Sequence, residues 1–212
     1  MKPYYNHAGI TIYHGDCREI LPHLEPVDLV LTDPPYGVGI KYLSYEDTME
    51  NWIELTKAWL PMALEKSKKG VLFPPGGFEQ ELFLYSYIKP KWRICWYKGA
   101  QAQRSPIGFK HWENIFVYGN TKSQCPDYFR ADPQCDNRVA DHPVPKPPGF
   151  YKWLLTNFSK ENDTILEPFL GSGTGLLAAK QLGRKAIGIE IELKYVEIAI
   201  RRLQQEMLPF GG

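Results

Sequence analysis

The sequence has few cysteines and no pair at the spacing of a redox or metal-binding motif. The four cysteines are Cys17, Cys95, Cys125 and Cys135. We expect free thiols in a reducing compartment, because scattered cysteines without a CxxC pair do not indicate a disulfide framework. Cys125, Cys135 and His142 could bind a metal together, but a zinc site takes four ligands at tighter spacing, so no metal is predicted.

Long apolar runs and an excess of one charge are also absent. No segment approaches the length that crosses a bilayer, and the first residues, MKPYYNHAGI, lack the apolar core of a secretory signal peptide. Lys and Arg number 25 against 24 Asp and Glu, so overall charge does not indicate a nucleic-acid-binding protein. We therefore expect a cytoplasmic protein with no membrane partner, in which any nucleic-acid contact depends on local charge.

Short apolar runs alternate with segments of helical periodicity. Strands are predicted at Ile10–His14, Val27–Thr32, Val71–Phe73, Trp92–Tyr97, Asn114–Tyr118, Thr164–Glu167 and Lys185–Ile189. Helices are predicted within residues 47–70, 174–183 and 192–207, with Asp47 and Glu50 as a capping pair for the first helix and Thr174 capping the second. This alternation is typical of an α/β domain with a mainly parallel sheet.

One predicted strand runs into LTDPPYGVG, residues 31–39, where a carboxylate is followed by two prolines and an aromatic ring. Pro35 lacks an N–H, has a fixed φ and pushes Pro34 into an extended conformation, so the Pro34 carbonyl is held rigidly. Asp33 and that carbonyl could present two hydrogen-bond acceptors to a planar amine beside Tyr36. An ordinary turn is the alternative interpretation.

A second strand ends in a carboxylate and a glycine-rich bend, in TILEPFLGSGTGLLAAKQLG at residues 164–183. The bend has neither the Lys-Ser/Thr ending of a P-loop nor the GxGxxG spacing of a dinucleotide site. Glu167 instead suits a ligand with a positive group, and Glu190, at the end of the next strand, could accept from ribose hydroxyls. An amino-acid end and a ribose end together outline S-adenosylmethionine.

DPPY and EPFLGSGTG together resemble the motifs of the amino-group DNA methyltransferases, which methylate adenine N6 or cytosine N4. Four further segments are similar to motifs of that family: HGDC, RICWYKG, HWENIFVYGN and HPVPKPPGFYKWLL. The catalytic motif precedes the cofactor loop, which is the circularly permuted order of the β group. The resemblance covers about residues 10–205, and it departs from the family in two places: Glu167 stands where Asp is commoner, and the recognition segment is short.

The resemblance implies one methyltransferase domain over residues 1–212, with a target-recognition segment inserted at about 99–145. The expected fold is a doubly wound Rossmann-like sheet, mostly parallel with an antiparallel edge strand. The expected reaction is S-adenosylmethionine-dependent methylation of adenine N6 in a specific DNA sequence after base flipping. Expected partners are duplex DNA, a second copy of the chain and a separate restriction endonuclease, in a bacterial or phage-encoded system.

The resemblance also implies roles for individual residues. The catalytic group would be Asp33, Pro34, Pro35 and Tyr36. Cofactor binding would involve Asp16 at the adenine, Glu190 at the ribose, and Glu167, Phe169, Gly171, Ser172, Gly173, Thr174, His142 and Lys146 around the methionine. DNA contacts are predicted at Arg104, Lys110 and His111.

Local charge agrees with a DNA partner, because no acid stands between Glu81 and Glu113. The basic residues there are Lys89, Lys91, Arg93, Lys98, Arg104 and Lys110, and aromatic residues are interleaved with them. Such a stretch suits a phosphate backbone and unstacked bases, although a plain solvated surface has the same composition. Three other functions stay open: cytosine N4 methylation, glutamine methylation of a protein, and a non-catalytic DNA-binding remnant.

Overall fold

The structure, a computed structural model, describes residues 1–99, 103–105, 108–132 and 146–205. Its strands are β1 Tyr5–His7, β2 Ile10–His14, β3 Leu29–Leu31, β4 Gly70–Phe73, β5 Trp92–Tyr97, β6 Gln103–Ser105, β7 Gly108–Lys110, β8 Trp112–Gly119, β9 Tyr128–Arg130, β10 Thr164–Glu167 and β11 Lys185–Glu190. Its helices are α1 Cys17–Ile20, α2 Met49–Lys66, α3 Phe78–Tyr87, α4 Pro148–Phe158, α5 Thr174–Gln181 and α6 Leu193–Gln205, with a 3₁₀ turn at Leu21–His23. Within the described residues, no helix is long and apolar enough to cross a membrane.

The described strands form a nine-stranded sheet in the order β1-β2-β11-β10-β3-β4-β8-β5-β9, and β6 and β7 form a separate hairpin. The run from β2 to β4 is parallel, whereas β8 pairs antiparallel with both β4 and β5. This arrangement confirms the predicted α/β fold with a mostly parallel sheet and an antiparallel portion. The circular permutation is visible as β10 and β11 lying between β2 and β3.

Helices cover both faces of the sheet because strand residues alternate between two cores. Leu29 and Leu31 point into one core, which includes buried residues of α4, α5 and α6. Val30, between them, points into the other core with Trp52 and Trp59 of α2. This period of two, buried on both faces, explains why the central strands are continuous apolar runs rather than alternating ones.

All seven predicted strands and all three predicted helices are present, and their ends differ by only a few residues. Two capping predictions are wrong. Thr48, not Asp47, caps α2 by accepting from the Asn51 amide, and Thr174 is the first residue of α5 rather than its cap. Asp47 is instead buried and accepts from three backbone amides after the DPPY segment, whereas a capping side chain accepts from the amide of N2 or N3.

The parallel strands determine where polar side chains meet. In the order β2, β11, β10, β3, the four neighbouring strands are followed or ended by Asp16, Glu190, Glu167 and Asp33. Because these strands run in the same direction, all four carboxylates lie at one edge of the sheet, outside the carboxyl ends of the strands where α/β folds bind ligands.

Gly173 joins the glycine-rich bend to α5 and offers a stability test. Its φ is +81°, and an added Cβ would lie 2.7 Å from the Cβ of Ala199 in α6. Gly39 has the same φ with nothing within 4 Å of an added Cβ, so Gly39→Ala measures the backbone term alone. We expect Gly39→Ala to lower the free energy of unfolding by about 1 kcal/mol, and Gly173→Ala to lower it by at least about 2 kcal/mol because of the clash with Ala199.

Chemical denaturation of the two variants and the unchanged protein measures both values. Equal losses for Gly39→Ala and Gly173→Ala would contradict the tight packing of the bend against α6.

Candidate active site

A cavity opens at the edge of the sheet where the four carboxylates meet. Most of the residues predicted for the cofactor and for catalysis line it, namely Asp16, Asp33, Pro34, Pro35, Tyr36, Phe169, Gly171 and Glu190. Glu167, Ser172, Gly173, Thr174 and Lys146 do not line it but lie behind its wall, largely buried. The strand ends therefore bring together residues that are more than 150 positions apart in the chain.

Asp16 lies at the N-terminus of α1, where its side chain accepts from the Arg18 amide at 2.8 Å. The Arg18 guanidinium also binds both carboxylate oxygens. These hydrogen bonds hold the pKa of Asp16 below its ordinary value, so the residue is a fixed anion at the mouth of the cavity.

Glu190, at the end of β11, is held by the backbone at both oxygens. The amides of Gly171 and Glu192 donate to Oε2 and Oε1 at 2.7 and 2.9 Å. Burial raises the pKa of Glu190, and the two amides oppose that shift. Each oxygen keeps a lone pair for another donor, which suits the two neighbouring hydroxyls of a ribose.

Glu167, at the end of β10, is the least satisfied polar group in the site. It is 1% exposed, and neither carboxylate oxygen has a hydrogen-bond partner among the described residues. Burial raises its pKa well above the ordinary value of 4.5, and the charges of Asp33 and Glu190 raise it further. The nearby Tyr151 hydroxyl and Leu176 amide favour the ionised form but do not reach hydrogen-bond geometry with it.

Gly175, in the first turn of α5, makes room for Glu167. A Cβ at this position would lie 2.5 Å from Oε2 of Glu167 and 2.8 Å from Oε1. The longer side chain that this sequence has in place of Asp therefore depends on the glycine that follows Thr174. The spacing of the glycines in the sequence does not predict this contact between Gly175 and Glu167.

Arg202, on α6, holds the bend that carries Ser172 and Thr174. Its Nη1 donates to the Ser172 carbonyl at 2.6 Å and to the Thr174 hydroxyl at 3.0 Å. Phe169 is held from the other side by an edge contact with Trp59, with ring centroids 5.4 Å apart. The sequence pattern had not indicated a role for Arg202, because it lies off the apolar face of its helix.

The DPPY residues form a hydrogen-bonded group with Lys146. The Tyr36 hydroxyl donates to Oδ1 of Asp33, and the Lys146 ammonium lies 3.1 Å from the same oxygen. Lys146 also donates to the Tyr36 hydroxyl at 2.7 Å. Burial and the neighbouring Asp33 raise the pKa of Tyr36 well above its ordinary value, so its hydroxyl keeps its proton.

The segment that follows the motif contributes residues that the sequence analysis missed. Ile40, Tyr42, Ser44 and Tyr45 line the cavity. The Tyr45 hydroxyl is buried without a hydrogen-bond partner among the residues described, and burial raises its pKa to about 12. Only closeness to DPPY in the chain could have indicated these residues, since the segment has no period.

Asp47 determines the path of this segment. Its carboxylate accepts from the amides of Gly37, Val38 and Ile40 at 2.6, 3.0 and 3.0 Å. Asp47 thus anchors the backbone of the segment. Ser44, in the same segment, donates to Glu192, and both of these residues line the cavity. Gly37 and Gly39, the glycines after the motif, both have a positive φ, and their amides donate to the side chain and to the carbonyl of Asp47.

Lys110 and His111, two of the predicted DNA-contact residues, do not line the cavity. Lys110 ends the hairpin of β6 and β7 and is half-buried, and His111 places its Nδ1 3.0 Å from the Gly99 carbonyl. His142 and the side chain of Arg104 lie outside the described residues, as does Cys135. Lys98, counted above among the basic residues, is buried and paired with Glu113, so it is not available to a phosphate backbone.

Comparison with known proteins identifies the class. Residues 83–201, more than half of the chain, match the model of the N6/N4 methyltransferase family, described as DNA methylase. Type II methyltransferase M.HpaI of Haemophilus parainfluenzae is 28% identical over 223 residues, covering 88% of this chain and 71% of that protein. DNA adenine methyltransferase YhdJ of Escherichia coli K12 is 29% identical over 250 residues, covering 94% and 84%.

Solved structures share the fold. PvuII DNA methyltransferase, described as cytosine-N4-specific, superposes with a TM-score of 0.76 and 17% identity, covering 100% of this chain and 90% of that chain. The complex of M1.HpyAVI with S-adenosylmethionine superposes with a TM-score of 0.72 and 23% identity, covering 92% and 98%.

The fold and the cavity at its strand ends are those of a methyltransferase that uses S-adenosylmethionine. The family match is more specific: the chain belongs to the N6/N4 family and is an amino-group DNA methyltransferase. The predicted class and the predicted cofactor are therefore confirmed. The roles of individual residues stay predictions.

The charge of the site fits this cofactor. S-adenosylmethionine carries a sulfonium and an ammonium, and the site offers the carboxylates of Asp33, Glu167 and Glu190. Burial raises the pKa of Glu167, and repulsion from the other two carboxylates adds to that shift. A cation between them would offset that repulsion, and it would supply the partner that Glu167 lacks.

Glu167→Gln should separate cofactor binding from stability. Because the folded-state pKa of Glu167 is raised, the folded protein holds a proton that the unfolded chain releases, and stability falls as pH rises above about 4.5. We expect cofactor-free Glu167→Gln to melt at a higher temperature than the unchanged protein, and this difference should be larger at about pH 8 than at about pH 5. We expect the same change to weaken S-adenosylmethionine binding about tenfold, since a charged hydrogen bond is lost.

The control is Glu161→Gln, an exposed glutamate just ahead of the same strand, which should change neither quantity. Melting curves at both pH values and calorimetric titration with the cofactor measure them. Weaker binding together with a lower melting temperature at pH 8 would contradict this description of Glu167.

Proposed function

We propose that the protein methylates the exocyclic N6 of adenine in a specific DNA sequence. The observation that carries this proposal is the carboxylate of Asp33 at the edge of the cavity, as the first residue of DPPY. Family members with Asp in this position are mostly adenine enzymes, whereas those with Ser are mostly cytosine enzymes. The name of the relative YhdJ, a DNA adenine methyltransferase, supports the same base.

The arrangement suits an exocyclic amine, which is a poor nucleophile because its lone pair is delocalised into the ring. Oδ2 of Asp33 has no partner among the described residues, and together with the Pro34 carbonyl it could accept both amine hydrogens. Two acceptors would favour a tetrahedral nitrogen with a localised lone pair, and Tyr36 would stack on the base. The bound cofactor supplies a methyl group on an electrophilic sulfonium.

No covalent intermediate with the protein is needed. Cys17 lines the cavity, but burial raises the pKa of its thiol to about 12, so it is protonated and a poor nucleophile. Positioning and electrostatics are left to account for the rate. This distinguishes the proposed reaction from chemistry that begins with a cysteine thiolate.

Sequence specificity and partners are proposed from the family resemblance. In duplex DNA the amine lies inside the base stack, so the target would be flipped into the cavity. Lys110 and His111, with Arg104, are proposed to contact DNA near the hairpin of β6 and β7. Pairing with a second copy of the chain and with a separate restriction endonuclease stays a prediction.

Mass spectrometry of nucleosides from unmethylated DNA, incubated with the protein and S-adenosylmethionine, tests the proposal. We expect N6-methyladenine. We expect Asp33→Ala to lower its rate of formation at least about 100-fold, because one of two preorganised acceptors is lost. Calorimetry on the same variant is the control, since a retained cofactor site should still bind S-adenosylmethionine.

N4-methylcytosine as the product would contradict the choice of base while leaving the chemistry of the amine intact. If neither product forms although the cofactor still binds, the substrate would be RNA or protein rather than DNA. Neither product and no cofactor binding would indicate a non-catalytic remnant.

A further inference from the structure

Lys146 lies in the segment that the family resemblance assigned to the cofactor, but its contacts are with the DPPY motif. Its ammonium is 3.1 Å from Oδ1 of Asp33 and 2.7 Å from the Tyr36 hydroxyl, and it lies 4.8 Å from the centroid of the Tyr36 ring. Lys146 is 7% exposed and does not line the cavity. These contacts join positions that are 110 residues apart in the chain.

A second carboxylate stands behind Lys146. Burial works to raise the pKa of Glu113, but Lys146 and Lys98 outweigh it and hold that pKa below its ordinary value. Lys98 pairs directly with Glu113, and both lysine ammonium groups lie within 6 Å of the Trp96 ring centroid. Two ion pairs, Asp33 with Lys146 and Glu113 with Lys98, thus lie close together, and the Trp96 ring is near both ammonium groups.

These contacts fix the position of the buried Lys146 ammonium. A buried ammonium is costly unless it is paired, and Asp33 and the Tyr36 hydroxyl both bind this one. Lys146 is therefore fixed beside Asp33, and Trp96, whose ring centroid lies 5.9 Å from its ammonium, belongs to β5 rather than to the cofactor side of the sheet.

The position of the Lys146 ammonium determines which carboxylate oxygen of Asp33 remains available to accept from the target amine. Lys146 and the Tyr36 hydroxyl both bind Oδ1, so rotation of the carboxylate is restricted and Oδ2 keeps its lone pairs. The same ammonium holds the Tyr36 hydroxyl and lies near its ring, which restrains the aromatic side chain proposed to stack on the base.

We propose that Lys146 is a positioning residue for methyl transfer, which orients the Asp33 carboxylate and the Tyr36 ring for the target amine and does not bind the cofactor. This inference rests on the proposed use of Asp33 as an amine acceptor. It replaces the role that the family motif suggested for Lys146.

The test compares Lys146→Met and Lys146→Arg with the unchanged protein. Met keeps an unbranched side chain only one atom shorter and removes the charge, so we expect kcat for DNA methylation to fall about 100-fold, as for a misplaced reacting group. We expect the Kd for S-adenosylmethionine to change less than about threefold, which is under 1 kcal/mol. Lys146→Arg should recover part of kcat because it restores a cation beside Asp33.

A double-mutant cycle separates positioning from general structural support. Asp33→Asn keeps a side-chain carbonyl but removes the charge that Lys146 pairs with. In that background we expect Lys146→Met to lower kcat by about tenfold or less, because the ion pair with Asp33 is already gone and only the contact with Tyr36 is left to lose. The matched control is Lys69→Met, which removes another lysine from a pair with a buried aspartate, Asp163, far from the cavity; it should lower stability and leave kcat unchanged.

Four results would overturn the proposal. A higher cofactor Kd with unchanged kcat would make Lys146 a cofactor ligand, and a raised kcat would make it a blocking group. An equal loss of kcat in the Asp33→Asn background would make its role structural. If Asp33 and Lys146 showed no coupling in the free energy of unfolding, the two side chains would not form a stabilising ion pair.

Failure of the proposed function is recognised separately. It appears as the wrong nucleoside, or none, from the unchanged protein, whereas the proposal for Lys146 is judged by ratios between variants. The unfolding cycle also tests the pair without any activity.

Discussion

Repulsion among carboxylates at one edge of a parallel sheet is the constraint on which the rest of the site depends. Asp33, Glu167 and Glu190 follow or end adjacent strands, so the direction of the strands places like charges together. Burial raises the pKa of Glu167 well above its ordinary value, and the neighbouring charges of Asp33 and Glu190 raise it further. A fold that gathers charge in this way is completed by a cation, and the methyl donor of the family carries two positive groups.

The buried carboxylates differ in how they are satisfied, and this separates structural from functional residues. Asp47 binds three backbone amides, and its charge is used within the protein to hold the segment after DPPY. Glu190 is held by two amides and keeps lone pairs for a ligand. Glu167 has no hydrogen-bond partner among the described residues, so it is the carboxylate best placed to receive a positive group of a ligand.

Asp33 needs a different kind of support, because it has to remain an acceptor for the substrate. Lys146 and Tyr36 engage one of its oxygens and leave the other one free. The Lys146 ammonium also lies 5.9 Å from the centroid of the Trp96 ring, on the antiparallel part of the sheet that carries the pair of Lys98 and Glu113. The parallel half of the sheet thus supplies the acidic edge, and the antiparallel half packs against the cation that orients the motif.

The central strands and the two main motifs could be predicted from the sequence, because they depend on residues that are close together in the chain. The central strands are apolar runs buried on both faces, and DPPY and the glycine-rich bend are continuous segments, so both were recognisable. Helix α3 was missed because Phe78, Leu82 and Tyr85 form an exposed apolar face that obscures its period.

Contacts between distant segments could not be predicted. The pairing of Lys146 with Asp33, the dependence of Glu167 on Gly175 and the backbone role of Asp47 all arise only when separate elements meet. The capping prediction for Asp47 was wrong for this reason: Thr48 was the equal candidate nearby, and the amides that bind Asp47 lie seven to ten residues away.

Proton release on cofactor binding tests the central claim most directly. Calorimetric titration of the protein with S-adenosylmethionine, in buffers of different ionisation enthalpy near neutral pH, measures the number of protons released. We expect release in the unchanged protein, because a cation beside Glu167 would lower its raised pKa, and little or none in Glu167→Gln. Binding without proton release, or the same release in both proteins, would contradict an acidic edge completed by the cofactor's charge.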